Sequence, residues 1–252
     1  MPMQPELEDI IERHWSASSA RYNRWSRNNL SKPRITRVWR EVLQAGILGR
    51  MEHVLDVGTG TGILAFILRG FCPRVTGVDI SSGMLEQARG NAQWLNLDVT
   101  FRQADAEHLP FPDETFTALV NRIVLWTLPH PEQALAEWKR VLRPGGRLVI
   151  IDTNGVKIRP TLKHKLWKLA SVPLTVLTER RNPLKGRQPM QVWRRLPLTS
   201  QPRPQWDVAQ LRRLGFEHVQ TSVVSRRSLG LLEYLKHGCW GDYFVVTATR
   251  GD

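Results

Sequence analysis

The spacing of apolar positions changes twice along the chain. Up to residue 50 it is helical. Leu7, Ile10, Ile11 and Trp15 recur at the interval of one helix face over residues 5–15. Residues 18–29 are polar, with Tyr22 and Trp25 as their main apolar groups. Residues 35–48 form a stronger amphipathic pattern, weakened near its end by Gly46. From residue 51 short apolar runs alternate with helical ones. Residues 53–57, 75–79, 99–101, 116–120 and 147–152 predict strands. Residues 63–70, 84–95 and 132–142 predict helices, the second opened by Ser81 or Ser82 and the third stopped by Pro144-Gly145-Gly146. This alternation predicts a parallel sheet covered by helices on both faces.

After residue 155 the rhythm is lost. Residues 156–205 are basic, carry prolines and fit no strand of the sheet. Residues 206–214 predict a short helix, with Asp207 as its N-cap and Gly215 as its stop. Residues 219–224 and 243–249 predict two further strands. The chain thus divides into a helical cover (1–50), an α/β core (51–155), a basic insertion (156–205) and a C-terminal helix with a strand pair (206–252).

Composition narrows the function classes. The 252 residues, 41% hydrophobic, suffice for one α/β domain with an insertion. No apolar run reaches the ~18 residues that cross a bilayer. The acids near the N-terminus and the lack of an apolar run there are unlike a secretory signal. Cys72 and Cys239 are too few for a disulfide framework or a cysteine-rich zinc site, and they suit a reduced, cytoplasmic setting. The histidines show no metal-ligand spacing, so no metal is expected. No G-x-S-x-G elbow supports hydrolase chemistry. The net charge of +13 admits RNA, an acidic membrane surface or an anionic substrate, and equally an ordinary solvated surface.

The chemistry concentrates where the first strand meets its helix. Asp56-Val57-Gly58-Thr59-Gly60-Thr61-Gly62 sits at that turn. Glycines there let the backbone turn tightly and approach a ligand closely, and the helix start offers unpaired N–H groups. Asp79 ends the next strand, where an acid accepts hydrogen bonds from ribose hydroxyls. The loop also satisfies the dinucleotide fingerprint G-x-G-x-x-G/A through residues 60–65, so an NAD(P)-dependent oxidoreductase is a rival. Three features tilt towards S-adenosylmethionine. Asp56 stands where a carboxylate repels a pyrophosphate but suits an ammonium group. Asp105-Ala106 follows the third strand, an acid and a small residue suited to an adenine edge. The C-terminal strand pair closes the sheet with an antiparallel edge.

The blocks VLDVGTGTG (54–62), GVDIS (77–81), ADAEHLPF (104–111) and RVLRPGGRLVIID (140–152) resemble the class I S-adenosylmethionine-dependent methyltransferases, in particular those of the ubiquinone and menaquinone type. The resemblance covers roughly residues 50–155. It implies a Rossmann-like seven-stranded sheet of order 3-2-1-4-5-7-6 with strand 7 antiparallel, and a cap inserted between strands 5 and 6. It implies that Asp56, Gly58, Thr59, Gly60 and Gly62 face the methionine part, and that Asp79 binds the ribose beside Ile80. Asp105 and Ala106 meet the adenine, and the Asn121 backbone lies near the methionine moiety.

Methyl transfer from a sulfonium needs alignment more than a base, so no catalytic base need be visible. Ligands of open α/β sheets lie beyond the strand carboxyl ends. Arg122 and Trp126 after the fourth strand, and Asp152, Thr153 and Asn154 after the fifth, are therefore substrate-side candidates, as is Tyr22 from the N-terminal cover. Each has a plainer alternative: an ion pair for Arg122, packing for Trp126 and Tyr22, a turn for Asn154. The expected acceptor is a small molecule, anionic or apolar. The N/D-P-P-Y/F motif of DNA adenine methyltransferases is missing, so DNA is not expected. The basic insertion reads as a substrate lid, with contact to a membrane surface or RNA as alternatives.

Overall fold

The computed structural model describes residues 5–153, 162–179, 193, 195–238 and 241–251. Its strands are β1 (His53–Val57), β2 (Arg74–Asp79), β3 (Thr100–Gln103), β4 (Phe116–Arg122), β5 (Leu142–Thr153), β6 (Phe216–Val224) and β7 (Tyr243–Arg250). They form one sheet of order β3-β2-β1-β4-β5-β7-β6. Six strands point the same way, and β7 alone is reversed, antiparallel to both β5 and β6. The order and the reversed strand are those that the resemblance implied.

Apolar residues of the central strands alternate between two cores. Leu55, Val57, Leu119, Leu148 and Ile150 face Trp138 of α5 (Pro131–Val141) and Leu211 of α7 (Gln205–Arg213). Val54, Ala118, Val120, Val149 and Ile151 face Trp39 and Leu43 of α2 (Pro33–Ile47) and Leu64 and Leu68 of α3 (Ile63–Arg69). The period-2 alternation of strand side chains therefore fills both faces. Gly46 has a packing role: a Cβ there would stand 2.7 Å from Val149 Cγ2, so its absence lets α2 lie close on β5.

Two expectations need correction at the N-terminus and at the fifth strand. Residues 5–15 and 18–29 are not separate helices; α1 runs unbroken over Pro5–Leu30. Its polar second half hides a hydrogen-bonded face. Asn23 Nδ2 donates to Gln87 Oε1 at 2.5 Å, Asn91 Nδ2 to Asn23 Oδ1 at 2.7 Å, and Thr61 Oγ1 to Ser26 Oγ at 2.5 Å. The first two bonds dock α1 on α4 (Ser82–Leu95), whose N-cap is Ser81, and the third docks it on the glycine loop. A helix that buries amides and hydroxyls in place of leucines leaves no apolar stripe to detect. The fifth strand begins at Leu142, not Arg147. Leu142 pairs with Phe116, Arg147 with Ala118, and the Pro144-Gly145-Gly146 segment is accommodated by a register shift between them.

The C-terminal half adds two helices that the sequence pattern did not predict, α6 (Leu162–Glu179) and α8 (Leu231–His237). Asp207 is not an N-cap. It lies inside α7, fully buried, and its carboxylate takes the Nε and Nη2 hydrogens of Arg203 at 2.8 and 2.5 Å. Arg203 also donates to Asp152 at the end of β5, so a sealed three-residue ion cluster joins α7 to the sheet.

Candidate functional site

The glycine loop leaves β1 at the carboxyl edge of the sheet and enters α3. Gly58, Gly60 and Gly62 have φ of 64°, 56° and 93°. At Gly58 a Cβ would stand 2.2 Å from Val124 Cγ2, so angle and space both demand glycine. Replacing Gly58 by alanine is expected to weaken cofactor binding at least tenfold and to cost about 1–3 kcal/mol of stability, measured by calorimetry and urea denaturation.

Two acids organise the loop, Asp56 buried and Asp79 half-buried. Asp79 Oδ2 accepts the Gly60 N–H at 2.8 Å and Oδ1 accepts the Ser81 N–H at 2.9 Å. Burial pushes this carboxyl up to about 6, against the pull of those donors. Asp56 Oδ2 accepts the Thr59 hydroxyl at 2.7 Å and the Ala65 N–H at 3.1 Å, tying the loop to α3. Burial pushes Asp56 up to about 7, opposed by Thr59 and Arg122. An acid whose folded pKa lies above its unfolded value makes the fold lose stability as pH rises between the two. Asp56→Asn should therefore be more stable than the wild type at pH 8, by about 1–3 kcal/mol, with the gap narrowing at pH 5 and closing at about pH 4. A thermal melt series across that range decides this; a variant less stable at pH 8 would refute the assignment.

A cavity of about 260 Å³ opens above the loop. Gly58, Gly60, Asp79 and Ile80 line one part of it, and Asp105 and Ala106 the next. At the Asp105 end α1 brings Glu8 close, and burial with the neighbouring acids pushes the Glu8 carboxyl up. Glu8, Asp105 and Glu107 bring carboxylate oxygens within 4.8 Å of one another. Two of these acids already hold histidines: Asp105 meets His108 Nδ1 at 2.9 Å, and Glu107 meets His130 Nδ1 at 2.7 Å.

The opposite end is aromatic and basic. Tyr22 and Trp25 of α1 meet Arg122 at the end of β4 and Tyr243 at the start of β7. The Arg122 guanidinium lies 5.7 Å from the Trp25 ring and 5.4 Å from the Trp39 ring. Burial pushes the Tyr22 phenol up, against the pull of the neighbouring Arg122 guanidinium. No carboxylate forms an ion pair with Arg122 among the described residues. Trp193 closes the adjoining side, with ring centroids 5.1 Å from His14, 6.1 Å from Trp15 and 5.6 Å from Trp126.

The comparisons with known proteins identify the family. A methyltransferase-domain model matches residues 55–150. The phosphatidylethanolamine N-methyltransferase of Cereibacter sphaeroides is 37% identical over 138 residues, covering 54% of this chain and 68% of that protein. The chain belongs to the class I S-adenosylmethionine-dependent methyltransferases. The ubiquinone/menaquinone biosynthesis C-methyltransferase UbiE of Bartonella tribocorum is 35% identical over 156 residues, 58% of this chain and 60% of the relative. Among solved structures, phosphoethanolamine N-methyltransferase 2 of Haemonchus contortus in complex with S-adenosyl-L-methionine superposes with a TM-score of 0.65. It is 19% identical, and the match covers 98% of this chain and 60% of that one, a likeness of fold. The chain spans between 47% and 68% of the length of the curated relatives it matches. The rival nicotinamide reading is not favoured.

The residues present fit the family's cofactor. The carboxylates of Asp79 and Asp105 line the cavity and can accept hydrogen bonds from hydroxyl and amino groups, and a Cβ at Gly60 would enter open space, with Tyr22 Cε1 nearest at 3.9 Å. Of the residues expected at the site, Tyr22, Gly58, Gly60, Asp79, Ile80, Asp105, Ala106 and Arg122 line the cavity. Asp56, Thr59, Gly62 and Asn121 are absent from its lining. Asp56 and Thr59 are spent on each other, and Gly62 starts α3. Asn121 is fully buried, with Val57 and Ile150 as its strand neighbours, and its amide nitrogen and oxygen find no partner among the described residues. Trp126 lines a second cavity of about 250 Å³ with Thr153, Leu198 and Arg203. Asp152 is consumed by Arg203, and Asn154 lies outside the described residues. The sequence did not reveal Glu8, Ile11, Tyr243 or Ile123. Ile123 lines the cavity with φ of 61°, an unusual angle for a β-branched residue that no sequence signal marks.

Proposed function

We propose that this methyltransferase carries the methyl group of S-adenosylmethionine to a small-molecule acceptor with an apolar body and an anionic group. One observation supports this above others. The cavity presents carboxylates at one end, and at the other a guanidinium beside two indoles that forms no ion pair among the described residues. When bound, the cofactor supplies a methyl group already activated on a sulfonium. Asp79 orients it by accepting ribose hydroxyls, and Asp105 with Ala106 borders the adenine. Gly58 and Gly60 let the backbone come close. Arg122 and Tyr22 hold the anionic group, and Trp15, Trp25 and Trp193 exclude water. Tyr22, with its phenol raised, stays protonated at neutral pH and donates hydrogen bonds instead of acting as a base. The rate enhancement then rests on alignment.

The names of the relatives give a phospholipid nitrogen and a carbon in quinone biosynthesis as the atoms they methylate. Both fit an acceptor with a large apolar part, and helix α1 then acts as a cover over it. Calorimetry tests the reading at its base: S-adenosylmethionine should bind at micromolar affinity and NADH should not. Incubation with methyl-labelled cofactor and a lipid extract should then place label in an extractable small molecule. Binding of NADH without S-adenosylmethionine would sink the proposal, as would label found only in RNA.

A further inference from the structure

Helix α6 faces the wrong way for a helix that stabilises a core. Leu162, Leu166, Leu169 and Leu177 recur at the spacing of one helix face, yet they are 72%, 58%, 67% and 80% exposed. The turns facing the body instead bury Ser171 and Thr175, at 8% and 3%. The helix is nevertheless docked. Trp167 Nε1 donates to the Leu235 carbonyl at 3.0 Å, and its ring meets Tyr234 of α8 edge-on at 5.2 Å. Helix α8 extends the apolar surface with Leu231 and Leu235, 70% and 44% exposed. A contiguous leucine face on two packed helices is unlike the scattered apolar residues of an ordinary surface.

Charge in this part of the sequence selects the occupant. Residues 156–205 hold twelve Lys or Arg, of which Arg203 is sealed in the ion cluster, and Glu179 is their only acid. Lys163, Lys165 and Lys168 belong to α6 itself, and the whole chain carries +13. The core of a protein–protein interface is depleted of lysine. An anionic bilayer surface rewards both features, burying leucines at the acyl boundary and attracting lysines to the headgroups. We propose that the α6–α8 face rests on an anionic lipid surface, laying the protein on the membrane without spanning it. No helix among the described residues is long and apolar enough to cross. The inference concerns binding alone and stands apart from the methyl-transfer reading.

Sedimentation of the full chain with vesicles tests it. The protein should pellet with phosphatidylcholine vesicles containing phosphatidylglycerol, bind pure phosphatidylcholine at least tenfold more weakly, and release as salt is raised. The triple variant Leu166→Ser, Leu169→Ser, Leu177→Ser should lose at least tenfold in vesicle affinity and keep its S-adenosylmethionine affinity. If the triple variant melts early, Leu177→Glu alone gives the same comparison at the most exposed position. Three results would overturn the proposal: no binding of the wild type to anionic vesicles, equal binding by the variants, or a wild-type dimer that the variants break while neither binds vesicles. The last assigns the face to a second copy of the chain.

Discussion

Arg203→Met should lower stability by about 3–5 kcal/mol at pH 8, the range for removing one partner of a buried ion cluster. The guanidinium is held on three sides. It donates to Asp152 of β5 and to both carboxylate oxygens of Asp207 in α7, and it lies 5.0 Å from the Phe244 ring. The side chains of Arg203, Asp152 and Asp207 are 4%, 0% and 0% exposed, so water cannot replace it. Methionine fills similar volume but leaves two acids buried without a cation. Burial already pushes Asp152 above the usual carboxylate range with Arg203 in place. Without Arg203 the folded state must bind protons that the unfolded chain, with carboxyls near ~3.9, does not. The folded state then carries more protons, so the variant loses stability as pH rises and regains it as pH falls towards 5. Urea denaturation at pH 8, 6.5 and 5 reads this slope. Adding Asp152→Asn and Asp207→Asn should recover most of the loss at pH 8. A deficit under 1 kcal/mol, or one independent of pH, refutes the account.

The same cluster shows where sequence pattern stops informing. Asp207 precedes an amphipathic run, and an acid there is the ordinary sign of an N-cap. Its real partner, Arg203, is only four residues away, but the second acid, Asp152, is fifty-one residues distant, and no local rule links them. The central strands were legible because alternating apolar residues serve two cores at once, so pattern and packing agree. Helix α1 was not, because its packing face is made of Asn23, bonded to α4, and Ser26, bonded to the glycine loop. Helix α6 was not, because its apolar face is turned to solvent. In both, the polarity of a position does not report its burial, the one assumption that periodicity analysis makes.

The candidate site divides along the same line. Gly58, Gly60, Asp79 and Asp105 were readable because the strand–loop–helix order fixes where each falls. Asp56 falls on β1 by its pattern, and its position before the first glycine suggests a ligand contact. The structure adds partners that no local pattern shows: Oδ2 accepts from Thr59 and Ala65, so the acid also holds the shape of the loop. Arg122 was ambiguous between ion pair and ligand group, and only the third dimension, which puts two indoles and Tyr22 around it, separates them.

Asp79→Ala should reduce S-adenosylmethionine affinity about 100-fold while leaving the fold intact. Its carboxylate fixes the loop through Gly60 and Ser81, and its remaining lone pairs face the cavity. Loss of two hydrogen bonds to a charged acceptor, at about 1.5 kcal/mol each, corresponds to roughly that factor. Asp79→Asn should lose less, because its amide oxygen still accepts one bond while its NH₂ meets a backbone donor. The two variants also separate binding from stability. Burial holds the wild-type carboxyl up at about 6, so its charge at pH 8 costs folding free energy that asparagine does not incur. Asp79→Asn should therefore melt no lower than the wild type at pH 8 even as it binds worse. In the wild type, affinity should fall as pH drops below 6 and the carboxylate takes up a proton, whereas the asparagine variant should bind with no such inflection. Calorimetric titrations of both proteins from pH 8 to 5 measure this directly. An Asp79→Ala protein that binds within threefold of the wild type would show that the ribose is held elsewhere.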